Sequence, residues 1–311
     1  MSRMGDVLAG FQTAWEFDTD SVLIRFERGI RTPRLFQSLR ERRVPYAALS
    51  SVTLTPGKRG TVVLRAVPRP GADPLLEAAA GQLKESNDPY RLVLPGDSET
   101  LAEYYADELR AVLGSEASLP AERFLVTAPE APMQFKAYDG RAGFDGTLVS
   151  FRWFWTGASS AKWKAGDQSF PVADLGGVEW RSPEGLEGCL RLVPRGAAAG
   201  PEADGPGCDP VPGAGQPSVT RAQPDQDPAS VVFGLGYGPV HESLPFAAAV
   251  LESVRRTQSV PVATAPVPVG GARRDPADIA ERIRHLGDLH QAGLVTDAEY
   301  SAKKAELLAE L

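Results

Sequence analysis

The sequence predicts an α+β fold that is mainly β: two tandem copies of a small barrel or sandwich, each closed by a C-terminal helix, then a small two-helix module. Three observations predict it. The chain repeats itself, each copy reads as strands followed by one helix, and residues 276–311 read as two short amphipathic helices.

The repeat is visible residue by residue. Asp20-Ser21-Val22-Leu23-Ile24-Arg25-Phe26 matches Asp145-Gly146-Thr147-Leu148-Val149-Ser150-Phe151, 125 residues on. Pro45 to Val52 matches Pro171 to Val178, 126 residues on. Leu64-Arg65-Ala66-Val67-Pro68-Arg69 matches Leu190-Arg191-Leu192-Val193-Pro194-Arg195 at the same offset, with five of six positions identical. Asp88-Pro89 matches Asp227-Pro228, where the offset is 139. The growth in offset requires an insertion in the second copy. Residues 196–227 supply it: 18 of these 32 are Ala, Gly or Pro and none is aromatic, so the segment is predicted to be disordered.

The first copy spans residues 5–114. Leu8 to Phe17 and Val22 to Phe26 flank the turn Asp18-Thr19-Asp20, a hairpin signal. Ser51 to Leu54 and Thr61 to Leu64 flank Pro56-Gly57-Lys58-Arg59-Gly60 as a second hairpin, and Tyr90 to Leu94 reads as a further strand. Leu75 to Leu83 reads as an extra short helix. From Ser98 to Leu113 the period changes, with Leu101, Tyr105, Leu109 and Val112 forming a helical stripe, Ser98 as N-cap and Gly114 as stop. The second copy, residues 132–256, ends in a helix from Glu242 to Arg256 with Phe246, Val250 and Val254 on one face.

This order of elements resembles the bacterial pleckstrin-homology-like (PH-like) domains. The likeness rests on the hairpin with its Asp turn, the stretch Val44-Pro45-Tyr46 to Val52 with its counterpart Phe170-Pro171 to Val178, and the terminal helix. In the tail, Ile279, Ile283, Leu286 and Leu289 form a stripe that Gly293 ends. Thr296-Asp297-Ala298-Glu299 opens a second helix as a capping box, and Tyr300, Leu307, Leu308 and Leu311 give it an apolar face. The run from Leu286 through Gly293-Leu294-Val295-Thr296 and Glu299-Tyr300 to Leu307-Leu308 resembles the SHOCT domain, a short C-terminal module. Tandem PH-like repeats with this tail are similar to a bacterial family of unknown function. The resemblance implies architecture and no activity. Between repeats and tail, residues 257–275 carry Val-Pro alternation at Val260-Pro261-Val262 and Val267-Pro268-Val269 and read as an extended linker.

Composition bounds the function. With 42% apolar and 23% charged residues, the chain is neither disordered throughout nor collagen-like. No apolar run reaches the roughly 18–20 residues of a membrane span. Met1 to Asp6 lacks the apolar stretch of a secretory leader, so a cytoplasmic location is expected. The net charge of −7 argues against a nucleic-acid partner. Cys189 and Cys208 cannot build a disulfide framework or a four-cysteine zinc site. Cys189 reads as a buried small hydrophobe, and Cys208 falls in the insertion.

No catalytic residue, metal site or cofactor is expected, and no enzyme. His241, His285 and His290 have no metal-ligand spacing and read as solvated helix residues. Neither a Gly-x-Ser-x-Gly elbow nor a phosphate loop occurs. Gly234-Leu235-Gly236-Tyr237-Gly238 reads as a turn. One cluster stands out. Arg25, Arg28, Arg31, Arg34, Arg40, Arg42 and Arg43 fall within 19 residues, against only Glu27 and Glu41. The second copy places Arg152, Lys162 and Lys164 there, interleaved with Trp153, Phe154, Trp155 and Trp163. The leading reading is a non-enzymatic binding or scaffolding protein, whose tail (Ile279, Ile283, Leu286, Leu289, Tyr300, Leu307, Leu308) docks on a protein partner or self-associates. The alternative is peripheral binding to an anionic membrane surface through Arg25 to Arg43. On that alternative, replacing Arg40, Arg42 and Arg43 by Gln should weaken vesicle binding and leave the fold intact.

Overall fold

The computed structural model describes residues 6–185, 187–196, 223–234 and 240–259. Residues 260–275 of the linker, the tail and most of the insertion, with Cys208, lie outside the described residues, as do residues 235–239 of the glycine-rich stretch; residues 257–259, expected to open the linker, instead extend the last helix.

In the first copy, β1 (Asp6–Ala9), β2 (Thr13–Phe17), β3 (Ser21–Phe26) and β4 (Glu41–Pro45) form an antiparallel sheet in chain order, with α1 (Arg34–Leu39) inside the β3–β4 connection. A 3₁₀ turn at Tyr46–Ala48 leads into a second sheet of β5 (Leu49–Pro56), β6 (Thr61–Pro68) and β7 (Arg91–Pro95). α2 (Pro74–Ala79) sits between β6 and β7, and α3 (Glu99–Ala111) closes the copy. The second copy follows the same plan: β8 (Met133–Lys136), β9 (Gly140–Phe144), β10 (Leu148–Trp153), α4 (Ser160–Ala165) and β11 (Gln168–Pro171), then β12 (Leu175–Arg181), β13 (Cys189–Pro194), β14 (Ser230–Val232) and α5 (Val240–Ser259). Each copy therefore holds two open sheets, not a closed barrel. Trp15 and Ile24 from one sheet meet Leu64 and Leu92 from the other in a single buried core.

The duplication extends to details below the level of strands. Pro45 to Val52 and Pro171 to Val178 occupy equivalent places: a strand end, a 3₁₀ turn, and a bulge at Leu49/Ser51 or Leu175/Gly177. The repeated Leu-Arg and Asp-Pro strings meet as ion pairs, Arg65 to Asp88 at 3.0 Å and Arg191 to Asp227 at 2.9 Å. α1 ends at Arg40 with φ 58°, and α4 ends at Gly166 with φ 69°. Glycine reaches that region without a Cβ clash, whereas Arg40 is held there by its helix terminus, its N–H donating to the Phe36 carbonyl. Residues 223–227, read from the sequence as the end of the insertion, form the turn that presents Asp227 to Arg191.

The helices depart from the expected stripes. On α3 the buried residues are Ala102, Tyr105, Ala106 and Leu109, while Leu101 and Val112 are about half exposed. Tyr105 stacks on Phe17 at 4.3 Å between ring centroids, which sets the rotation of the helix. α5 buries far more than one face: Leu244 and the run Phe246-Ala247-Ala248-Ala249-Val250-Leu251 are all buried, with Val254. The reason is its position. α5 packs on β8 and β12 of its own copy and on α1 and α2 of the first. Cys189 is buried on β13, and burial pushes its thiol up, as expected for an inert small hydrophobe.

Polar contacts fasten the same junction. The Gln82 side chain donates to the Trp180 carbonyl (3.0 Å) and accepts from the Ser182 amide (2.9 Å). Lys84 meets Glu184 at 2.8 Å, Arg255 pairs with Glu77, and the Arg255 guanidinium lies 4.4 Å from the centre of the Phe124 ring. The connection between copies is tied down where the Ala128 amide donates to Glu252 (2.7 Å).

Candidate functional site

The arginine cluster does not form one patch. Along β4, successive side chains alternate between faces, and Arg42 shares the inward face with Val44. Its side chain is 4% exposed, and its Nη2 donates to Asp73 Oδ1 at 2.6 Å. Asp73 also accepts from the Tyr90 hydroxyl (2.7 Å) and caps α2 through the Leu75 amide (2.9 Å). Burial pulls the Arg42 pKa down, but Asp73, then Tyr90 and Glu252, reverse that, so the net shift is upward and the guanidinium stays charged. Arg42 thus leaves the anion patch expected from the sequence. The triple substitution of Arg40, Arg42 and Arg43 loses its force as a test, because Arg42→Gln would strand a buried carboxylate.

Two more arginines are engaged on the surface. Arg25, on β3, pairs with Glu16 (3.2 Å) and with its cross-strand partner Glu41 (3.8 Å). Arg43 binds Asp18 at 3.1 Å and the Ser21 hydroxyl at 2.9 Å. The Thr19 amide and Arg43 hold the Asp18 carboxyl below its usual range. Beside it, Tyr46 donates to the Asp18 carbonyl, and burial with Asp18 and Asp20 pushes its phenol up to about 12.

Arg28, Arg31, Arg34 and Arg40 remain. All four are exposed and none forms an ion pair among the described residues. Ile30 stands between them at 106% exposure. A shallow cavity of about 590 Å³, lined by Ile30, Thr32, Arg34, Gln37, His241 and Glu242, places this connection beside the start of α5. Burial, aided by Arg34 and opposed by Glu242, lowers the His241 pKa.

The equivalent connection of the second copy carries the other exposed feature. Residues 28–40 contain no Asp or Glu, and neither do residues 146–166. In the latter, Trp155 is 81% and Trp163 57% exposed, with Arg152 and Lys164 also exposed. Lys162, which the sequence grouped with them, is turned inward and fully buried. Its Nζ lies 2.5 Å from Asp139 Oδ2 and 4.9 Å from the centre of the Trp153 ring. Asp139 accepts the Val232 amide through its other oxygen (2.9 Å), so one buried ion pair ties α4 to two strand ends. Trp153 Nε1 donates to the Gly166 carbonyl (2.8 Å), and Ser159 caps α4. A Cβ at Gly157 would lie 2.3 Å from the Tyr138 carbonyl oxygen, so the loop closes onto the β8–β9 turn only with glycine there.

Among the described residues, no three His, Cys, Asp or Glu side chains gather as metal ligands, and no helix is long and apolar enough to cross a membrane. The tail residues Ile279, Ile283, Leu286, Leu289, Tyr300, Leu307 and Leu308 lie outside the described residues. The family model described as a domain of unknown function (DUF4429) matches the chain twice, over residues 15–110 and 142–251. No curated protein matches the chain.

Proposed function

Because the chain belongs to the family defined by the domain of unknown function DUF4429, present in two copies, we propose that it is a non-enzymatic binding and scaffolding protein. In this reading the two copies are PH-like domains that act as one rigid platform, and the tail is a SHOCT-like module that docks on a partner or self-associates. One observation carries the proposal. α5 packs on both copies at once, on α1 and α2 of the first and on β8 and β12 of the second, and joins them in a continuous core, while Ile30, Trp155 and Trp163 on the two equivalent strand–helix–strand connections stay exposed. The order of a four-stranded sheet, a three-stranded sheet and a terminal helix in each copy supports the PH-like assignment. The tail's part rests on its sequence alone.

Sedimentation of the full chain tests the scaffold reading. Self-association is expected, and Leu307→Ser with Leu308→Ser should convert the assembly to monomer. A chain that is monomeric from the outset removes the tail's self-association.

The exposed Arg28, Arg31, Arg34 and Arg40 around Ile30 favour a second reading, attachment to an anionic membrane surface. Attraction of exposed charges is screened over about 8–10 Å at physiological salt. Co-sedimentation with phosphatidylglycerol-containing vesicles should therefore fall steeply as salt rises. At about 1 kcal/mol per charge, replacing these four arginines by Gln should weaken binding by roughly 100–1,000-fold at low salt. Equal binding by the quadruple variant would remove the first copy's connection from the reading.

A further inference from the structure

We infer that the β10–α4–β11 connection of the second copy is an interfacial anchor: Trp155 and Trp163 enter the headgroup region of an anionic bilayer while Arg152 and Lys164 meet its phosphates. The inference rests on the anionic-surface reading above and assigns it a second, separate contact.

Charge complementarity selects the partner. The chain as a whole is acidic, at −7, yet residues 146–166 hold three basic and no acidic side chains; the connection's one carboxylate, the exposed Asp167, stands at its β11 end, where it accepts from the Trp153 amide (3.3 Å). Arg152 and Lys164 remain at the surface after Lys162 is withdrawn into its pair with Asp139. Indole rings are large, with an apolar body and one N–H donor, which suits them to the layer between hydrocarbon and water.

The connection is also held in shape before any contact. The Phe154 amide donates to Asp139 O (2.9 Å), and Gly157 and Ala158 donate to Phe154 O (3.1 and 2.9 Å). With the buried Lys162–Asp139 pair, these bonds fix the backbone that carries both tryptophans, so little ordering remains for binding. The first copy presents the same recipe at the same place with different residues, Ile30 flanked by Arg28 and Arg31. A protein pocket would demand one side-chain shape, whereas a bilayer accepts Ile and Trp alike. That tolerance favours lipid over a protein partner.

The chain's own fluorescence supplies the test. Of its five tryptophans, Trp15, Trp153 and Trp180 are buried at 0%, 8% and 3% exposure, and only Trp155 and Trp163 are exposed. Vesicles of phosphatidylglycerol and brominated phosphatidylcholine should blue-shift and quench the exposed pair at low salt. Trp155→Ser with Trp163→Ser should abolish the quenching and weaken co-sedimentation by roughly tenfold or more, with an unchanged melting curve. Vesicle binding without quenching, and undiminished in the double variant, overturns the anchor and leaves the arginine contact standing. Quenching that persists in the Arg28, Arg31, Arg34 and Arg40 to Gln variant, at unchanged affinity, overturns the arginine contact and keeps the anchor. Absence of binding to these vesicles at low salt overturns both.

Discussion

Asp73→Ala lowers stability in urea unfolding by about 3–5 kcal/mol, among the largest effects expected of any single substitution here. Three partners lose their acceptor together: Arg42, the Tyr90 hydroxyl and the Leu75 amide. Arg42 is the decisive one. Among the described residues its Nε and Nη1 have no hydrogen-bond partner, so Asp73 supplies the guanidinium's hydrogen bond and its nearest compensating charge. A buried ion pair is poor evidence of net stabilisation, but removing one member strands the other in a medium that solvates it badly. Asp73→Asn should fall between, because the single amide oxygen can still cap α2 while the NH2 that replaces Oδ2 can only donate to the Tyr90 hydroxyl. Combining Asp73→Asn with Arg42→Met should restore most of the loss, since Met fills the space without a charge. A drop below about 1 kcal/mol for Asp73→Ala would mean that water reaches Arg42.

Phe246→Ala is the second large effect, at about 3–5 kcal/mol. The ring is fully buried and lies edge-on to Phe135 at 5.0 Å and near Phe144 at 6.0 Å. What distinguishes this variant is its reach. If α5 joins the copies into one cooperative unit, hydrogen exchange should accelerate on β6 of the first copy as well as on β13 of the second. Faster exchange confined to the second copy would show two independently stable domains and would remove the basis for a single platform.

The strand framework and the duplication were legible because the repeated strings are structural. Leu-Arg and Asp-Pro recur since each pair closes an ion pair within its copy, and Pro45 to Val52 recurs since it turns the chain between sheets. The helix faces were read less well. The α3 stripe counted Leu101 and Val112 and passed over Ala102 and Ala106, although small residues are what let a helix lie close on a sheet. The run from Phe246 to Leu251 was read as one-sided, yet an apolar run with no polar gap is the mark of a helix buried all round. Arg42 was assigned to the surface by counting arginines. Period-two alternation with Val44 was the signal that could have placed it inside. Its partner, 31 residues away, had no local signature. The Lys162–Asp139 pair was hidden for the same reason, and without it the exposed tryptophans could not be told from buried Trp153.

The placement of α5 has a consequence for how the chain is made. The first copy leaves the ribosome before the helix that covers its α1 and α2 exists. About 180 residues separate the end of α2 from the end of α5, which at 5–20 residues per second is a delay of roughly 10–35 s. During that interval Leu35, Phe36, Leu75 and Ala78, all buried in the finished protein, lack the cover that α5 brings. The nascent first copy should therefore depend on chaperones until α5 is made, and a gene fragment encoding it alone should yield aggregated protein.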